Sequence, residues 1–326
     1  MKPNPLSRPT LFIVACLLAL GTSAASAQSQ DRWFRVELLV FGQGKGSSEE
    51  AWQAIPELAY PPANRFLVEP QRVAANQAEY ASAASELDDY GRQLIRLTSG
   101  GSSNQTGGNG ESGGATVSPA TPTPFRVLPA SQREFRGKAA YMQRTGRYTT
   151  LFHQVWLQPV AARDRALPIV IDRSGDTGEW PALQGSITLH LSRYLHLETN
   201  LWLNTPGNYL SGEWRMPAPP LGPPSLIIEN STAQPGAVTP RASLPEPDAG
   251  TAPDEAQGTG EFEQGPVYPY RHAVLLQQKR RMRSNEVHYL DHPLMGVVIK
   301  LRPLVAEDLA LLKQAEESGN YPPLDS

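Results

Sequence analysis

Apolar and polar positions alternate along the first strongly patterned segment of the chain, residues 33–41. Successive side chains of a β-strand point to opposite faces, so this period of two predicts a strand with one buried face. Arg35 and Glu37 lie on the polar side of the pattern. The apolar side holds Phe34, Val36, Leu38 and Val40.

The longest alternating segment is residues 185–203. We predict one long strand here, with a bulge or bend at Arg193, because that residue interrupts the apolar face. The apolar face holds Ile187, Leu189, Leu191, Leu195, Leu197, Leu201 and Leu203. The polar face holds Thr188, His190, Ser192, Tyr194, His196, Glu198, Asn200 and Trp202.

Shorter patterns complete the set of predicted elements. Further strands are predicted at residues 148–158, 168–171, 273–283 and 295–301. Helices are predicted at residues 76–97, from Ser131 to about Gly146, and at residues 305–317. The first two helices begin with residue pairs typical of a capping box, Asn76 with Glu79 and Ser131 with Glu134. The buried stripe of the second helix is Phe135, Ala139 and Met142.

The order of these elements predicts the fold class. The strands do not alternate regularly with helices, which argues against a doubly wound parallel sheet. Clean alternation between two faces favours an antiparallel sheet with one face in water. We therefore predict an α+β fold, with a single antiparallel sheet, helices packed on its apolar face and two low-complexity insertions.

The two insertions differ in composition from the rest of the chain. Residues 99–124 are rich in Gly, Ser, Thr, Asn and Pro, and residues 217–269 are rich in Pro with several acids. Neither segment has enough apolar side chains to offset the entropy lost on ordering. We interpret both as linkers or surface insertions, although residues 217–228 could instead pack on the domain. The domain itself is then divided into residues 28–98, 125–216 and 270–326.

The N-terminus has the features of a secretory signal peptide, predicted at residues 1–27. Two basic residues precede an apolar run at residues 11–20, and an A-x-A cleavage sequence ends at Ala27. The run is too short to span a bilayer, which needs ~20 apolar residues. We predict cleavage after Ala27, export to the periplasm and no membrane span. A lipoprotein signal ending at Cys16 is the alternative, although the apolar stretch before it is short.

Cleavage after Ala27 would also change the composition. Cys16 is the only cysteine of the 326 residues, so the mature chain would have neither a disulfide nor a thiolate metal ligand. Removal of two of the 29 basic residues leaves 27 against 32 acidic residues, a net charge of about −5. This balance predicts no nucleic-acid binding, so an anion would be bound only where basic residues cluster.

Residues 280–293 and 193–197 are the two segments richest in candidate chemistry. His288 and His292 are four residues apart, a spacing that two metal ligands on a helix can have. Pro293 instead favours a strand that ends in a turn, where Asp291 and His292 would hydrogen-bond the backbone. We predict no metal and no cofactor.

Catalytic motifs are missing from the sequence. It contains no zinc-protease H-E-x-x-H and no phosphate-binding P-loop. Glu198 and Glu286 are weak candidates for a carboxylate pair that cleaves glycans, and ordinary surface acids are the simpler interpretation. We predict that the protein is not an enzyme.

Recognition of a polar, partly anionic ligand is the remaining interpretation of the two segments. Aromatic rings stack on sugar rings, and arginine pairs with carboxylates through two hydrogen bonds. The predicted ligand-binding residues are Tyr194, His196, Trp202, Arg281, Arg283, His288, Tyr289 and His292. Alternatively, the rings form cross-strand pairs, and the arginines are solvated or pair with the acidic insertion.

Four motifs, taken in order, resemble the CsiV family of periplasmic peptidoglycan-binding proteins of gammaproteobacteria. The first two are residues 33–41 and residues 146–148 with His153, Trp156 and Gln158. The others are residues 183–185 with 193–197 and 201–203, and residues 280–284 with Glu286, residues 288–293 and Gly296. The resemblance leaves out the two low-complexity segments.

This resemblance implies a cell-wall role without catalysis. Such proteins bind peptidoglycan and promote its synthesis through an outer-membrane lipoprotein that activates a bifunctional penicillin-binding protein. Two other hypotheses stay open at this point. One is an envelope module that binds only proteins, and the other is a wall hydrolase.

Overall fold

The structure is a computed structural model that describes residues 32–44, 56–97, 121–206, 216–230 and 268–322. The first five strands are β1 (Arg32–Gln43), β2 (Arg65–Phe66), β3 (Ala84–Leu87), β4 (Gln93–Leu97) and β5 (Tyr148–Val160). They are followed by β6 (Ile169–Val170), β7 (Leu183–Leu191), β8 (Leu195–Thr205), β9 (Leu226–Asn230), β10 (His272–Met282), β11 (Val287–His292) and β12 (Met295–Pro303). The α-helices are α1 (Pro70–Glu79), α2 (Arg136–Arg144), α3 (Ser174–Thr177) and α4 (Ala306–Ser318).

These strands form three sheets rather than one. Sheet 1 has the order β11-β12-β1-β5 and is antiparallel throughout. Sheet 2 has the order β10-β8-β7-β6-β2 and is antiparallel except for the pairing of β2 with β6. Sheet 3 is small, with the order β3-β4-β9 and a parallel pairing of β4 with β9.

The prediction of a single sheet covered by helices was therefore wrong. Sheets 1 and 2 share one apolar core, which indicates that each covers the inner face of the other. Sheet 1 contributes Phe34, Val36, Leu38, Val40, Trp156, Leu290, Val297, Ile299 and Leu301 to this core. Sheet 2 contributes Ile187, Leu189, Leu195, Leu197, Leu201, Leu203 and Leu276. Alternation identified the buried faces correctly, but a period of two does not say which element covers a face.

Helices α2 and α4 pack on the outer face of sheet 1. Helix α2 places Phe135 and Ala139 against Leu39 and Phe41 of β1, as the predicted buried stripe requires. The helix ends before Gly146, whose φ of 69° lies in the left-handed region. Helix α4 packs Leu312 against Val155 and Leu157 of β5.

The start of α2 is capped differently from the prediction. Ser131 and Glu134 do not form the capping box. The carboxylate of Glu37 on β1 accepts hydrogen bonds from the backbone N–H groups of Glu134, at 2.8 Å, and Phe135, at 2.9 Å. Glu37 is 3% exposed, so a buried acid of the sheet satisfies donors at the start of the helix.

The helix predicted at residues 76–97 was also wrong. The structure has α1 at Pro70–Glu79, followed by the hairpin of β3 and β4. Asp88 closes the hairpin by accepting hydrogen bonds from the backbone N–H groups of Tyr90 and Arg92. Strand β4 then pairs with β9, which lies far along the chain. This pairing overrides the helix that the local spacing of apolar residues predicts.

Residues 185–203 form a hairpin instead of one long strand. Strands β7 and β8 are joined at residues 192–194, where the Ser192 N–H donates to the Tyr194 carbonyl at 3.0 Å. The predicted faces are nevertheless retained, because the register pairs Leu189 with Leu197 and His190 with His196. Polar residues therefore face polar residues across the hairpin.

Part of the predicted Pro-rich insertion packs on the domain. Pro219 and Gly222 are buried, and β9 extends sheet 3. Of the two interpretations of residues 217–228, the structure shows the packed one. The predicted signal peptide with Cys16 lies outside the described residues, as do residues 98–120 and 231–267.

Candidate functional site

The outer face of sheet 2 has two different ends. At one end, Trp202 is completely buried beneath other segments of the chain. At the other end, beside the turn that joins β7 and β8, the side chains face solvent or are partly covered, except that of His190, which is buried. We call this second end the hairpin surface, and it consists of Arg163, His190, Arg193, Tyr194, His196, Glu198, Lys279 and Arg281.

Strand register places these side chains in rows. His190 of β7 pairs with His196 of β8, which pairs with Arg281 of β10. In the next row of the same face, Glu198 of β8 pairs with Lys279 of β10. Residues that are 91 positions apart in sequence, such as Lys279 and Thr188, thus belong to one row.

The two histidines of the hairpin surface differ in environment. Their rings are stacked, with centroids 5.0 Å apart and planes 9° apart. His190 is 4% exposed, and its Nε2 lies 3.2 Å from Oε1 of Glu198. Its buried Nδ1 has no hydrogen-bond partner among the described residues. Burial lowers the pKa of His190, and Glu198 offsets this effect only in part, so the ring is neutral at neutral pH.

Glu198 is the carboxylate of the hairpin surface, and three side chains surround it. Lys279 Nζ is 3.2 Å from its Oε2, and Arg163 Nη2 is 3.6 Å from its Oε1. Burial opposes its ionisation, but the hydrogen bonds from Lys279 and His190 prevail and lower the pKa of Glu198. Glu198 is therefore ionised at neutral pH.

The ring of Tyr194 is the exposed aromatic group of the hairpin surface. It is 43% exposed in the turn between β7 and β8. The guanidinium carbon of Arg281 lies 4.6 Å from the ring centroid, and that of Arg193 lies 5.5 Å from it. Such cation–π contacts orient both arginines beside the ring.

The hairpin surface carries an excess of positive charge. Four of its side chains are cationic, namely Arg163, Arg193, Lys279 and Arg281, while Glu198 is anionic. Counting neither histidine, the excess is three positive charges, on a chain whose overall charge is −3. This arrangement can bind an anion and can stack an apolar ring face against Tyr194.

The sequence was compared with protein families, curated proteins and solved structures. The family described as "Peptidoglycan-binding protein, CsiV" matches residues 11–304. The chain belongs to the CsiV family. No curated protein and no solved structure matches it. The family resemblance that the sequence motifs predicted is thus confirmed, and the family description names peptidoglycan as the ligand.

The structure brings together three of the eight ligand-binding residues predicted for this CsiV protein. Tyr194, His196 and Arg281 share the hairpin surface. Trp202 lies on the same side of β8 but is fully buried, with its Nε1 donating to Oε1 of Gln184 at 3.1 Å. A ligand therefore has no access to the Trp202 ring.

The other four predicted residues lie elsewhere. Arg283 follows β10 on the chain that crosses to sheet 1 and lies 3.5 Å from Glu286. His288 is 8% exposed, and its Nε2 contacts both the N–H and the carbonyl of Arg283. This ring stabilises the crossing between the two sheets.

Tyr289 and His292 belong to sheet 1. The Tyr289 ring stacks on Phe41, with centroids 6.3 Å apart, and its hydroxyl donates to Asp291 at 2.6 Å. His292 Nδ1 accepts from the Leu294 N–H at 3.2 Å, as the turn interpretation predicted. In the part of the chain that the structure describes, no three His, Cys, Asp or Glu side chains are grouped to hold a metal ion.

Two residues of the hairpin surface could not be identified from the sequence as binding candidates. Arg163 comes from the loop after β5 and reaches the surface because Ala162 forms an isolated bridge with Leu191 of β7. Lys279 lies in a predicted strand, and only the register of β10 against β8 places it beside Glu198.

Within the described ranges, no helix is long and apolar enough to cross a membrane.

Proposed function

We propose that this CsiV protein binds peptidoglycan through the hairpin surface, without cleaving it, in the periplasm. We further propose that it supports wall synthesis through an outer-membrane lipoprotein that activates a bifunctional penicillin-binding protein. The observation that carries the binding proposal is the local excess of cations around the exposed Tyr194 ring. The family description supports peptidoglycan as the ligand.

The chemistry of peptidoglycan suits this surface. Its peptide stems carry carboxylates, which arginine and lysine bind, and its sugars have C–H faces, which stack on aromatic rings. Arg281 and Tyr194 lie in contact, so one ligand can meet a cation and a ring at the same place. The ring of His196, between His190 and Arg281, offers a further hydrogen-bonding group.

The ionisation of Glu198 supports a role in binding rather than catalysis. Glycan hydrolysis needs a carboxylic acid that is protonated at working pH, together with a second carboxylate. The pKa of Glu198 is lowered, so this group is an ion-pair partner and cannot donate a proton at neutral pH. Its salt bridges with Lys279 and Arg163 hold the cationic side chains in place.

Co-sedimentation with purified insoluble sacculi tests the binding proposal. We expect the mature protein to pellet with sacculi, and the double substitution Lys279→Gln with Arg281→Gln to weaken binding about tenfold, or about 1.4 kcal/mol. Binding should also weaken as ionic strength rises from about 0.01 M to about 0.15 M, since the Debye length falls from about 30 Å to about 8 Å.

A matched control removes the same charge elsewhere. Arg136 and Lys138 lie exposed on α2, on the outer face of the other sheet. Their double substitution to Gln should leave the pelleted fraction unchanged. Equal loss in both double variants would mean that only overall charge matters, and a wild-type protein that stays in the supernatant would refute the proposal. Clearing of peptidoglycan in a zymogram would refute the non-enzymatic part.

The proposed protein partner needs a separate test. Residues 231–267 can be deleted without touching β9, which ends at Asn230. We expect cross-linking in cells to trap the lipoprotein activator with the wild-type chain and equally with this deletion variant. A partner trapped without any sacculus binding would support the alternative, an envelope module that binds only proteins. No trapped lipoprotein would refute the partner proposal and leave the binding proposal standing.

A further inference from the structure

A second polar site lies at the edge of sheet 1, away from the hairpin surface. It is a cavity of about 340 Å³ beside β5, bordered by the start of α1, the segment from Arg126 to Ala130, and the chain after α4. We call it the arginine cavity, because Arg126 and Arg133 both line it. None of its lining residues belongs to the hairpin surface.

Each of the two arginines has a hydrogen-bond donor that finds no acceptor among the described residues. The Nε atoms of Arg126 and Arg133 are both buried, and neither has a hydrogen-bond partner within the described ranges. An arginine keeps its proton at any pH that a protein experiences, so neither group can avoid the cost by becoming neutral. Each unmet buried donor is unfavourable until an acceptor is supplied.

The charges around the arginine cavity do not balance. Arg126 lies 3.6 Å from Oε1 of Glu316, and the one lining carboxylate, Glu69, pairs with Arg173. Arg133 donates to Oε1 of Gln154 at 2.7 Å, which is a neutral group. Burial lowers the pKa of Arg133, and the attraction of Glu37 offsets this only in part. One cation thus remains without an ion-pair partner among the described residues.

The remaining lining limits the size and polarity of a ligand. Pro70, Val127, Leu128 and Tyr321 add apolar surface to the walls. The volume equals that of roughly eleven water molecules at about 30 Å³ each, which accommodates one or two amino-acid residues. A ligand with one negative charge and a short apolar body could pair with Arg133 and contact the apolar walls.

We propose that the arginine cavity binds the free carboxylate of a peptide chain end whose last side chain is small and apolar. The carboxylate would supply the missing counter-charge of Arg133 and acceptors for the guanidinium donors, and the apolar walls would contact the side chain. This inference is independent of the hairpin surface. Peptides that end in a D-residue, as in wall stems, and peptides that end in an L-residue share this chemistry.

Titration of the mature protein with N-acetyl-D-alanine and with N-acetyl-L-alanine, followed by NMR, tests the proposal. We expect saturable binding of at least one enantiomer, and the preferred enantiomer distinguishes the two sources. N-acetylalaninamide has the same shape without the charge and should bind at least about tenfold more weakly. Arg133→Gln should weaken binding of the acid by a similar factor, while Arg136→Gln, an exposed neighbour, should not change it.

Thermal unfolding provides a second measurement that does not depend on a single variant. The N-acetylated acid should raise Tm of the wild type and of Arg136→Gln but not that of Arg133→Gln. Because Arg133→Gln removes a partly buried cation without an ion-pair partner, the variant should fold, and Arg126→Gln serves if it does not. The proposal is overturned if neither enantiomer saturates, if the amide binds as tightly as the acid, or if Arg133→Gln retains full affinity. Sacculus binding by the hairpin surface is measured separately, so either proposal can fail alone.

Discussion

The outer face of sheet 2 carries two different regions on the same strands, one covered and hydrogen-bonded and the other exposed and cationic. At the covered end, Asp172 accepts hydrogen bonds from the Tyr60 hydroxyl, at 2.8 Å, and from the backbone N–H groups of Ser174 and Gly185. Burial and the nearby charge of Asp172 raise the pKa of Tyr60, so its hydroxyl remains a donor. At the hairpin surface, the cations outnumber the single acid. We infer that satisfied polar groups stabilise the fold, while unmatched ones are available to a ligand.

Trp202→Ala is the substitution with the largest expected effect on this comparison. Trp202 is 0% exposed and packs its ring edge-on against Tyr60 at 4.9 Å. Loss of a buried tryptophan side chain costs about 3–5 kcal/mol, because it leaves a cavity. The free energy of unfolding, measured with urea, should fall by this amount, and Trp202→Phe should lose less.

Tyr194→Ala is the control at the open end. The ring is exposed, so its removal should change the free energy of unfolding by no more than about 0.5 kcal/mol. It should nevertheless weaken sacculus binding. Equal destabilisation by Trp202→Ala and Tyr194→Ala would contradict the distinction between the two ends.

Asp172→Ala is expected to have the next largest effect. The substitution removes the acceptor of four donors, since the Ser174 hydroxyl also donates to Asp172 at 2.7 Å. An unmet buried donor costs about 1–3 kcal/mol, part of which water can recover. We expect a loss of about 2–4 kcal/mol in urea unfolding. Asp291→Ala removes an acid that accepts from the exposed Tyr289 hydroxyl, and should cost no more than about 0.5 kcal/mol. A similar loss in both variants would show that burial of the network is unimportant.

His190→Gln should have the smallest effect, and it should depend on pH. Burial lowers the pKa of His190 below its ordinary value of 6.5, so the unfolded chain takes up this proton at a higher pH than the folded chain. The resulting stability is present above that value and is lost as pH falls below it. Between about pH 7.5 and about pH 5.5, the wild type should therefore lose more stability than His190→Gln. Parallel pH profiles would contradict the assignment.

Local pattern predicted the strands well where a face is buried along its whole length. The apolar side of β1 and both faces of residues 185–203 could be assigned from the sequence, because side-chain alternation is a property of the strand itself. The turn at residues 192–194 was missed, since a short polar break at Arg193 is compatible with either a bulge or a hairpin. The covering of one sheet by another depends on distant segments, so alternation alone could not reveal it.

The candidate surface was predictable only in part, for the same reason. Tyr194 and His196 belong to one local cluster in the sequence. This cluster is accessible because it lies beside a turn. Arg163 and Lys279 are brought there by bridges to other strands. Trp202 shares the polar side of β8 by pattern, but its burial results from segments that fold over it. Burial of an outer face is a tertiary property and leaves no periodic signal.

The position of β1 has a consequence for the order in which the chain can fold. Its neighbours are β5 and β12, and Phe34 pairs with Pro303, so the centre of sheet 1 joins the two ends of the described chain. Contacts at such separation carry a high loop-closure entropy and form late. Residues up to Pro303 must therefore have left the ribosome before this strand can complete its pairing with β12. Until then, β1 can pair with β5, but its other edge stays unpaired.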